Sequence, residues 1–187
     1  MLDAVVELID EESAITVNTV VQRSGVSRAA IYRRWETMAK LTAAALDRGR
    51  HIVELPDDLP VRGALGYGYP KEAAEVYSDY PEGRLRQRLR LGLADADLLR
   101  EYWQGHVSRR RTPILRALER GRERGEVRGD ADLEAALDLM SGVYYYQMVA
   151  RGESLADPEV LARCHAALDI VWRGIEASAG SSQAGQT

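Results

Sequence analysis

Residues 16–35, TVNTVVQRSGVSRAAIYRRW, decide the fold of this 187-residue chain. Their first half places apolar residues at the i, i+3, i+4 spacing of one helix face: Val17, Val20 and Val21. Gly25 can then adopt the left-handed backbone conformation that ends a helix, and the Ser27 hydroxyl can cap the next helix. The stretch therefore predicts two short helices joined by a tight turn.

The second of these helices separates an apolar face from a basic one. Ile31 and Trp35 stand four residues apart and are predicted to be buried together. The opposite face carries the positions i, i+1, i+4 and i+5, with one further arginine beside it: Arg28, Ala29, Tyr32, Arg33 and Arg34. Two short helices, a glycine turn and a basic second helix predict a helix-turn-helix, whose second helix enters the major groove of DNA.

The charge of the chain is unevenly distributed. Its formal net charge is −4, which would disfavour DNA if it were spread evenly. Residues 21–50, however, carry seven basic and two acidic residues, a local net charge of +5. Because phosphate affinity depends on the local patch, the acidic total does not argue against DNA binding.

Helical periodicity continues through almost the whole chain without a strand pattern or an internal repeat, which predicts an all-α fold. Pro56 and Pro60 bracket an acidic linker, the best candidate for a domain boundary. We predict an N-terminal three-helix helix-turn-helix domain over residues 1–50 and a larger helical domain over residues 51–177. A Ser/Gly/Gln-rich tail over residues 178–187 is predicted to be disordered.

Two places among the predicted helices are irregular. Residues 63–70, GALGYGYP, hold three glycines and a proline and predict a loop or a broken helix. Pro113 lies inside a long helix predicted for residues 96–124 and is expected to kink or split it. The other predicted helices of this region cover about residues 37–50, 84–93, 132–151 and 158–177.

Several classes of function are disfavoured by what the sequence lacks. The single cysteine, Cys164, excludes an internal disulfide and fits a reducing compartment. No apolar run reaches transmembrane length, and the N-terminus has acids where a secretory signal needs bases, so we expect a cytoplasmic protein without a membrane partner. No nucleophile–base pair, metal-ligand spacing or phosphate-binding loop is visible. We therefore expect neither an enzyme nor a metal or other cofactor.

The N-terminal pattern resembles the TetR family of bacterial transcription regulators. The resemblance rests on Thr16, residues 24–27, residues 31–35, Thr37 and Leu41, and a weaker likeness covers residues 124–127, 130–133 and 144–146. It implies a homodimer that binds double-stranded palindromic operator DNA and responds to a small apolar or aromatic ligand. It also implies that residues 51–177 form the ligand-binding and dimerisation domain, and that the protein acts, like most of the family, as a repressor.

Ten residues are predicted to bind DNA: Thr16, Ser27, Arg28, Ala29, Ala30, Tyr32, Arg33, Arg34, Thr37 and Lys40. Arg28, in the first turn of the recognition helix, is best placed to bond guanine O6 and N7 together, worth about 1–3 kcal/mol of discrimination. The two alanines lack bulk, so the helix can lie deep in the groove. The tyrosine and the other arginines are assigned to phosphates, and the hydroxyl residues cap helices whose N-terminal N–H groups can bind phosphate.

Three features depart from the pattern of the TetR family. Met38 stands where a lysine is usual near the start of the fourth helix, with Lys40 two positions later. Ala29 and Ala30 replace a frequent Gly-Thr pair, which removes a hydroxyl that could bond phosphate. The chain also begins at the first turn of its first helix, without the basic arm of many members. Either the start is truncated, or affinity rests on fewer phosphate contacts.

The second domain is predicted to supply a dimer interface and a ligand pocket. Its interface candidates step at helical spacing through the last two helices: Leu133, Leu137, Met140 and Tyr144, then Leu161, Leu168, Ile170, Val171 and Ile175, with Gly142 allowing close approach. The alternative is that these stripes complete the core of a monomer. Polar aromatic residues suit an apolar cavity with a few bonding points, so the pocket candidates are Tyr67, Trp103, His106, Met140 and Tyr144, with Tyr69 as a further one.

Other functions stay open at this point. A ligand-independent helix-turn-helix DNA-binding or interaction protein would have a packed core where a ligand-responsive one has a cavity. An enzyme built in a helical cavity has no residue pattern in its support. Residues 84–128, with thirteen arginines and six acids, could form a second nucleic-acid surface, although an exposed helix with acid–base pairs is the favoured interpretation.

Overall fold

A computed structural model of the protein describes residues 1–69, 72 and 80–178. The described residues confirm the all-α fold, since the one β feature among them is an isolated antiparallel bridge between Val127 and Glu176. In chain order the helices are α1 (Leu2–Asp10), α2 (Val17–Ser24), α3 (Arg28–Arg34), α4 (Met38–Leu46), α5 (Val61–Gly68), α6 (Glu82–Ala94), α7 (Ala96–Tyr102), α8 (Ser108–Glu123), α9 (Leu133–Tyr145) and α10 (Pro158–Ile175). Among the described residues, no helix is long and apolar enough to cross a membrane.

The chain divides into two compact units. The first unit contains Met1–His51 and Ser78–Arg110, and the second contains Ile52–Tyr77 and Arg111–Thr187. The boundary predicted after residue 50 lies one residue from the first division, but residues 78–110 group with the N-terminal unit and not with the second domain. The assignment of functions to residues 1–50 and 51–177 stays a prediction.

The core of the first unit fixes the position of α3. Its buried side chains come from α1 to α4 and from α7: Val5, Leu8, Ile9, Val20, Ile31, Leu41, Ala43, Ala45, Leu46, Leu98 and Tyr102. Ile31 is buried as predicted, whereas Trp35 is half-buried and packs at the edge of this core. Because full burial of an isoleucine contributes about 1.5–3 kcal/mol, Ile31 anchors one face of α3 and leaves the other exposed.

The core of the second unit joins α5, α8, α9 and α10. Its buried residues include Val61, Leu65, Leu118, Val127, Leu133, Met140 and Trp172. Gly121 of α8 lies very close to Val61. A Cβ atom on residue 121 would collide with Cγ2 of Val61 and would lie 3.1 Å from Cγ2 of Val127. The absence of a side chain at residue 121 therefore lets α5 pack closely on α8.

Residues 63–68 of the glycine-rich stretch do not form the loop or broken helix that the composition of residues 63–70 predicts. The structure forms α5 from Val61 to Gly68, beginning after Pro60. Val61, Ala64 and Leu65 recur at i, i+3 and i+4 and are all buried, so tertiary packing outweighs the low helix propensity of glycine. Pro70 and the predicted disordered tail beyond Ser178 lie outside the described residues, as does the side chain of Tyr67.

Pro113 does not split its helix, although a split was one of the two outcomes predicted there. The helix α8 runs through Pro113, which removes only the N–H that would bond to the carbonyl of Arg109. The departure from α-helical geometry lies upstream, where residues Trp103–Val107 form a π-helical turn between α7 and α8. A second π-helical turn, Tyr146–Ala150, continues α9. At the end of α4, the helix stops at Leu46 and not near residue 50.

Candidate DNA-binding surface and ligand pocket

The helix α2 begins with a capping box built from two threonines. The Thr16 hydroxyl accepts a hydrogen bond from the Thr19 N–H at 3.2 Å, and the Thr19 hydroxyl accepts one from the Thr16 N–H at 2.9 Å. Two N–H groups that the helix start would leave unbonded are satisfied in this way. The predicted cap at Thr16 is therefore present in the structure, and its hydroxyl remains exposed on the protein surface.

The turn between α2 and α3 uses the two residues that the sequence singles out. Gly25 has φ 69°, in the left-handed region, and its N–H bonds to the Val21 carbonyl at 2.9 Å. The Ser27 side chain accepts from the Ala30 N–H at 3.1 Å and so caps α3. Ser24 adds a bond that the sequence analysis missed, because its hydroxyl donates to the Val20 carbonyl at 2.6 Å.

The exposed face of α3 collects the predicted DNA-binding residues of the recognition helix: Arg28, Ala29, Tyr32, Arg33 and Arg34. Tyr32 is 56% exposed, whereas its neighbour Ile31 is 1% exposed, so the two faces of the helix are sharply separated. Ala30 is half-buried between them. The Arg34 guanidinium lies 5.9 Å from the centroid of the Trp35 ring, a cation–π contact at the end of the helix.

Arg28 has a partner that the sequence did not reveal. Its Nη2 atom donates a hydrogen bond to Oδ1 of Asn18, in the first turn of α2. The contact joins the two helices of the motif at the residue expected to read a base. The sequence analysis did not single out Asn18, because no pattern along the chain distinguishes it. Its contact with Arg28 arises only when α2 folds against α3.

The start of α4 presents one predicted group to solvent and pairs another. Thr37 caps the helix by accepting from the Lys40 N–H at 3.1 Å, and its side chain is exposed. The Lys40 ammonium is bound to the Glu36 carboxylate, four residues earlier. This hydrogen bond raises the pKa of Lys40 and lowers that of Glu36. Lys40 must therefore exchange a carboxylate for a phosphate before it can contact DNA.

Part of the basic charge between residues 21 and 50 is neutralised within the first unit. Arg23 donates to Glu11 at 2.8 and 2.7 Å and to Glu7 at 3.2 Å, and these hydrogen bonds raise its pKa. Arg48 forms an ion pair with Asp3 at 2.9 Å. Acidic residues of α1 and Glu11 directly after it therefore compensate arginines that lie outside α3. The positive charge of the candidate DNA surface comes chiefly from α3.

The predicted pocket residues divide between the two units. In the first unit, Trp103 is 47% exposed, and Nδ1 of His106 lies 2.9 Å from Oδ2 of Asp47. In the second unit, Tyr144 stacks on Tyr69 with ring centroids 5.6 Å apart and an interplanar angle of 12°. Met140 belongs to the same unit and is buried.

A cavity of about 280 Å³ lies in the second unit. Its walls come from α5, α9, α10 and the residue after α5: Arg62, Leu65, Gly66, Tyr69, Met140, His165, Leu168, Asp169 and Trp172. Met140 and Tyr69 are thus the sequence-predicted residues that line it, while Trp103 and His106 are not among its walls. The Arg62 guanidinium bonds to Asp169 at 2.6 Å, so these two lining charges are already paired.

Tyr144, which stacks on the pocket residue Tyr69, carries an unusual polar atom. Its hydroxyl is buried without a hydrogen-bond partner in the part of the chain that the structure describes. Burial raises the pKa of this tyrosine, so the hydroxyl stays protonated and remains a donor. By contrast, the Tyr69 hydroxyl lies 3.4 Å from the Ser141 hydroxyl.

The predicted dimer stripe on α9 lies inside its own subunit. Leu133, Leu137 and Met140 are each at most 5% exposed, because they pack toward the core of the second unit. A different set of large apolar side chains is exposed on α9, its π-helical continuation and α10: Leu139, Tyr146, Val149 and Ile170. We call this set the exposed apolar face. Three of the four stripe residues on α9 are therefore core, as the alternative prediction held for them, whereas the interface candidate Ile170 on α10 belongs to the exposed apolar face.

The geometry of α2, its glycine turn and α3 defines a class of protein. Two short capped helices around a left-handed glycine, with arginines on the exposed side of the second helix, form a helix-turn-helix DNA-binding unit. The chain belongs to the TetR family of transcription regulators, because residues 70–168 match the family described as "Tetracyclin repressor-like, C-terminal domain". Regulators of this family bind operator DNA and form dimers.

Individual relatives agree with this assignment. The chain is 28% identical over 167 residues to the HTH-type transcriptional regulator YdeS of Bacillus subtilis (strain 168), covering 86% of this chain and 82% of that protein. The crystal structure of the TetR family transcription regulator SCO0332 matches with a TM-score of 0.62 and 25% identity, over 91% of this chain and 93% of that one. A TetR transcriptional regulator from Agrobacterium tumefaciens shares the fold, with a TM-score of 0.60, 20% identity and coverage of 95% and 92%.

Proposed function

We propose that the protein is a homodimeric transcriptional repressor that binds a palindromic operator through α3 and is released by a small apolar or aromatic ligand. The observation that carries the DNA-binding part is the exposed face of α3, with Arg28 in its first turn and Ile31 fixed in the core. A repressor acting on a bacterial operator would work in the cytoplasm.

Each residue of the α3 face receives a separate task in this proposal. Arg28 reads a guanine, because a guanidinium can bond O6 and N7 of that base together. Ala29 and Ala30 keep the helix close to the groove floor, since neither carries more than a methyl group. Tyr32, Arg33 and Arg34 bind phosphates, which set the register of the helix but carry no sequence information.

Dimerisation is proposed to occur through the exposed apolar face of the second unit. Leu139 is 64% exposed and Ile170 is 65% exposed, on two helices that pack against each other, and large exposed apolar side chains grouped in this way are candidates for an interface. Leu139 and Tyr146 are seven residues apart, about two turns, so they lie on one side of α9. Val149 is exposed on the π-helical continuation of that helix. A two-fold partner would match the symmetry of a palindromic operator.

The 280 Å³ cavity is the proposed ligand site. Its walls combine Tyr69 and Trp172 with the apolar side chains of Leu65, Met140 and Leu168, which suits a flat, largely apolar molecule. Release of DNA requires that the ligand bind the DNA-free state more tightly, and such coupling is commonly about 1–3 kcal/mol. We therefore expect a saturating ligand to weaken operator binding by about 5- to 150-fold.

The decisive experiment selects bound sequences from random DNA and then compares variants on the selected site. Arg28→Ala should weaken operator binding by about 1–3 kcal/mol, which is about 5- to 150-fold, and should relax the preference at one base pair of each half-site. Arg109→Ala, which removes an exposed arginine of α8, is the matched control and should leave the affinity unchanged. Unchanged sequence preference in Arg28→Ala would contradict the proposed role of α3.

The ligand part of the proposal needs a separate measurement. The selected operator is titrated with protein in the presence and absence of a library of small aromatic compounds, and any compound that releases DNA is retested on Met140→Trp. The larger side chain should fill the cavity, abolish the response and leave operator binding intact. A protein that no compound releases, and whose cavity variants bind operator normally, would instead be a ligand-independent DNA-binding protein.

A further inference from the structure

Four arginines gather around two tyrosine rings in the first unit, and none of them is among the residues assigned to DNA. We call Arg50, Arg84, Arg88 and Arg110, together with Tyr80 and Tyr102, the arginine cluster. On one ring, the guanidinium carbons of Arg50 and Arg84 lie 4.8 and 5.7 Å from the centroid of Tyr80. The other ring, Tyr102, has two more guanidinium carbons at 5.2 and 5.7 Å from its centroid.

The cluster is attached to the end of α4. The Tyr80 hydroxyl donates to the Leu46 carbonyl at 2.5 Å, the last residue of that helix. Gly49 then takes φ 86°, in the left-handed region, so the chain turns directly after α4. The Arg50 N–H closes this turn by bonding to the Asp47 carbonyl at 3.0 Å. Backbone geometry therefore fixes where the Arg50 side chain begins.

Two members of the cluster already have anionic partners. Arg84 binds both carboxylate oxygens of Asp10, through Nε at 2.9 Å and Nη2 at 2.5 Å. Arg110 binds Asp47 through Nη1 and donates from Nη2 to the Tyr102 hydroxyl at 3.1 Å. Burial would raise the pKa of Asp47, but the hydrogen bond from His106 and the charge of Arg110 outweigh it and lower that pKa.

Arg50 differs from these two arginines because it has no carboxylate. Among the described residues its side chain forms no ion pair, and its Nε atom is buried without a hydrogen-bond partner. Burial lowers the pKa of Arg50, and the like charges of Arg110 and Arg88 lower it further. The contact with the Tyr80 ring attracts the cation but offers no acceptor to the Nε–H group.

We propose that Arg50 and the cations beside it bind a small oxyanion, the carboxylate or phosphate group of a metabolite. Arg50 is half-buried and its Nε atom is inaccessible to solvent. A guanidinium withdrawn from water in this way normally has an anionic partner, since an uncompensated charge is costly to desolvate. The guanidinium fork matches the oxygen pair of both groups, whereas chloride offers no such geometry. The site shares no residue with the 280 Å³ cavity of the second unit, so it would be a separate site for a small molecule.

A purely structural role for Arg50 makes a different prediction. A cation placed just beyond the C-terminus of α4 would interact favourably with the helix dipole. That role needs the charge but does not need the fork or a bound anion. A lysine at position 50 would then serve as well as arginine, and phosphate would have no specific effect. The two roles are therefore separable by changing the shape of the side chain and its charge independently.

The test is isothermal titration calorimetry of the full chain with two probes, inorganic phosphate and benzoate. Sodium chloride is adjusted to keep the ionic strength constant, so that the screening of surface charges by salt is not mistaken for specific binding. Arg50→Gln removes the charge, Arg50→Lys keeps the charge without the fork, and Arg109→Gln removes an exposed arginine elsewhere in the same unit. Circular dichroism shows whether each variant is folded.

We expect the chain to bind at least one probe, and to bind it about tenfold or more weakly in Arg50→Gln, because a hydrogen-bonded charge is lost. Arg50→Lys should lose a smaller part of the affinity, and Arg109→Gln should lose none. Phosphate binding without benzoate binding would identify a phosphate-bearing ligand, and the reverse result a carboxylate.

Three results would overturn the proposal. The first is a dissociation constant weaker than about 10 mM for both probes, which is less than about 3 kcal/mol of binding. The second is equal affinity in Arg50→Gln and in the unchanged chain. The third is an equal loss in Arg50→Gln and Arg109→Gln, which would show a general charge effect. If Arg50→Gln does not fold, Arg50→Lys decides, since unchanged affinity in that variant would remove the need for the fork.

Discussion

The α2–α3 region and the second unit differ in how far apart along the chain their functional residues lie. The candidate DNA surface is built from residues 16–40, and each of its caps joins residues three apart. The cavity of the second unit draws its walls from residues as distant as Arg62 and Trp172. The difference teaches that a local site can be derived from the sequence, whereas a site assembled by tertiary packing cannot.

The largest expected effect concerns the exposed apolar face, of which the sequence predicted Ile170 on α10 but not the exposed side of α9. Ile170→Arg places a charge on the exposed apolar face and should shift the protein from dimer to monomer, at a cost of about 2 kcal/mol or more. Analytical ultracentrifugation over a range of concentrations measures this shift. The matched control is Leu99→Arg, since Leu99 is 51% exposed in the first unit and should leave the dimer intact. Equal dissociation in both variants would show that the exposed apolar face is not the interface.

The error on α9 has a physical cause. An amphipathic stripe predicts which residues are buried, but it does not predict whether they are buried within a subunit or between two subunits. Leu133, Leu137 and Met140 are buried within the second unit. Leu139 lies outside the stripe that the sequence singled out on α9, whereas Ile170 is one of the interface candidates that it named on α10. Only the packing of the helices shows that both side chains stay exposed.

In the rest of the molecule too, features that depend on near neighbours in the sequence were predicted, and those that depend on tertiary packing were not. The caps Thr16, Ser27 and Thr37 and the turn at Gly25 depend on neighbours a few residues away, and the structure has them as predicted. The helix α5 was missed because its stability comes from α8 and not from its own glycine-rich sequence. The unpaired Arg50 was missed for the same reason, since an arginine without a partner is invisible until its surroundings are known.

The next prediction tests whether contacts between near neighbours in the sequence stabilise the α2–α3 region. Ser27→Ala removes the side chain that caps α3 and should lower the free energy of unfolding by about 1 kcal/mol. Chemical denaturation measures the change. Ser108→Ala serves as a control with the same atom removed, because the Ser108 hydroxyl donates to the Gln104 carbonyl within a continuous helix and caps no helix start. A smaller loss in Ser27→Ala than in Ser108→Ala would contradict the importance of the cap.

A third prediction concerns the buried hydroxyl near the cavity. Tyr144→Phe removes a donor that has no partner among the described residues, so it should raise the free energy of unfolding by up to about 1 kcal/mol. Tyr102→Phe is the matched control with the opposite sign, because the Tyr102 hydroxyl accepts a hydrogen bond from Arg110 at 3.1 Å. Thermal denaturation of both variants gives the comparison. A loss of stability in Tyr144→Phe would mean that its hydroxyl does have a partner in solution.

The smallest expected effect tests the side-chain hydrogen bond between Asn18 of α2 and Arg28 of α3. Because the hydrogen bond is exposed, its loss in Asn18→Ala should weaken operator binding by about 0.5 kcal/mol, or about twofold. The loss should fall on the base pair that Arg28 reads, since the guanidinium loses its support but keeps its charge. Gln22→Ala, exposed on the same helix, is the control. In the Arg28→Ala background the Asn18→Ala change should have no further effect, and an undiminished effect there would show that Asn18 contacts DNA by itself.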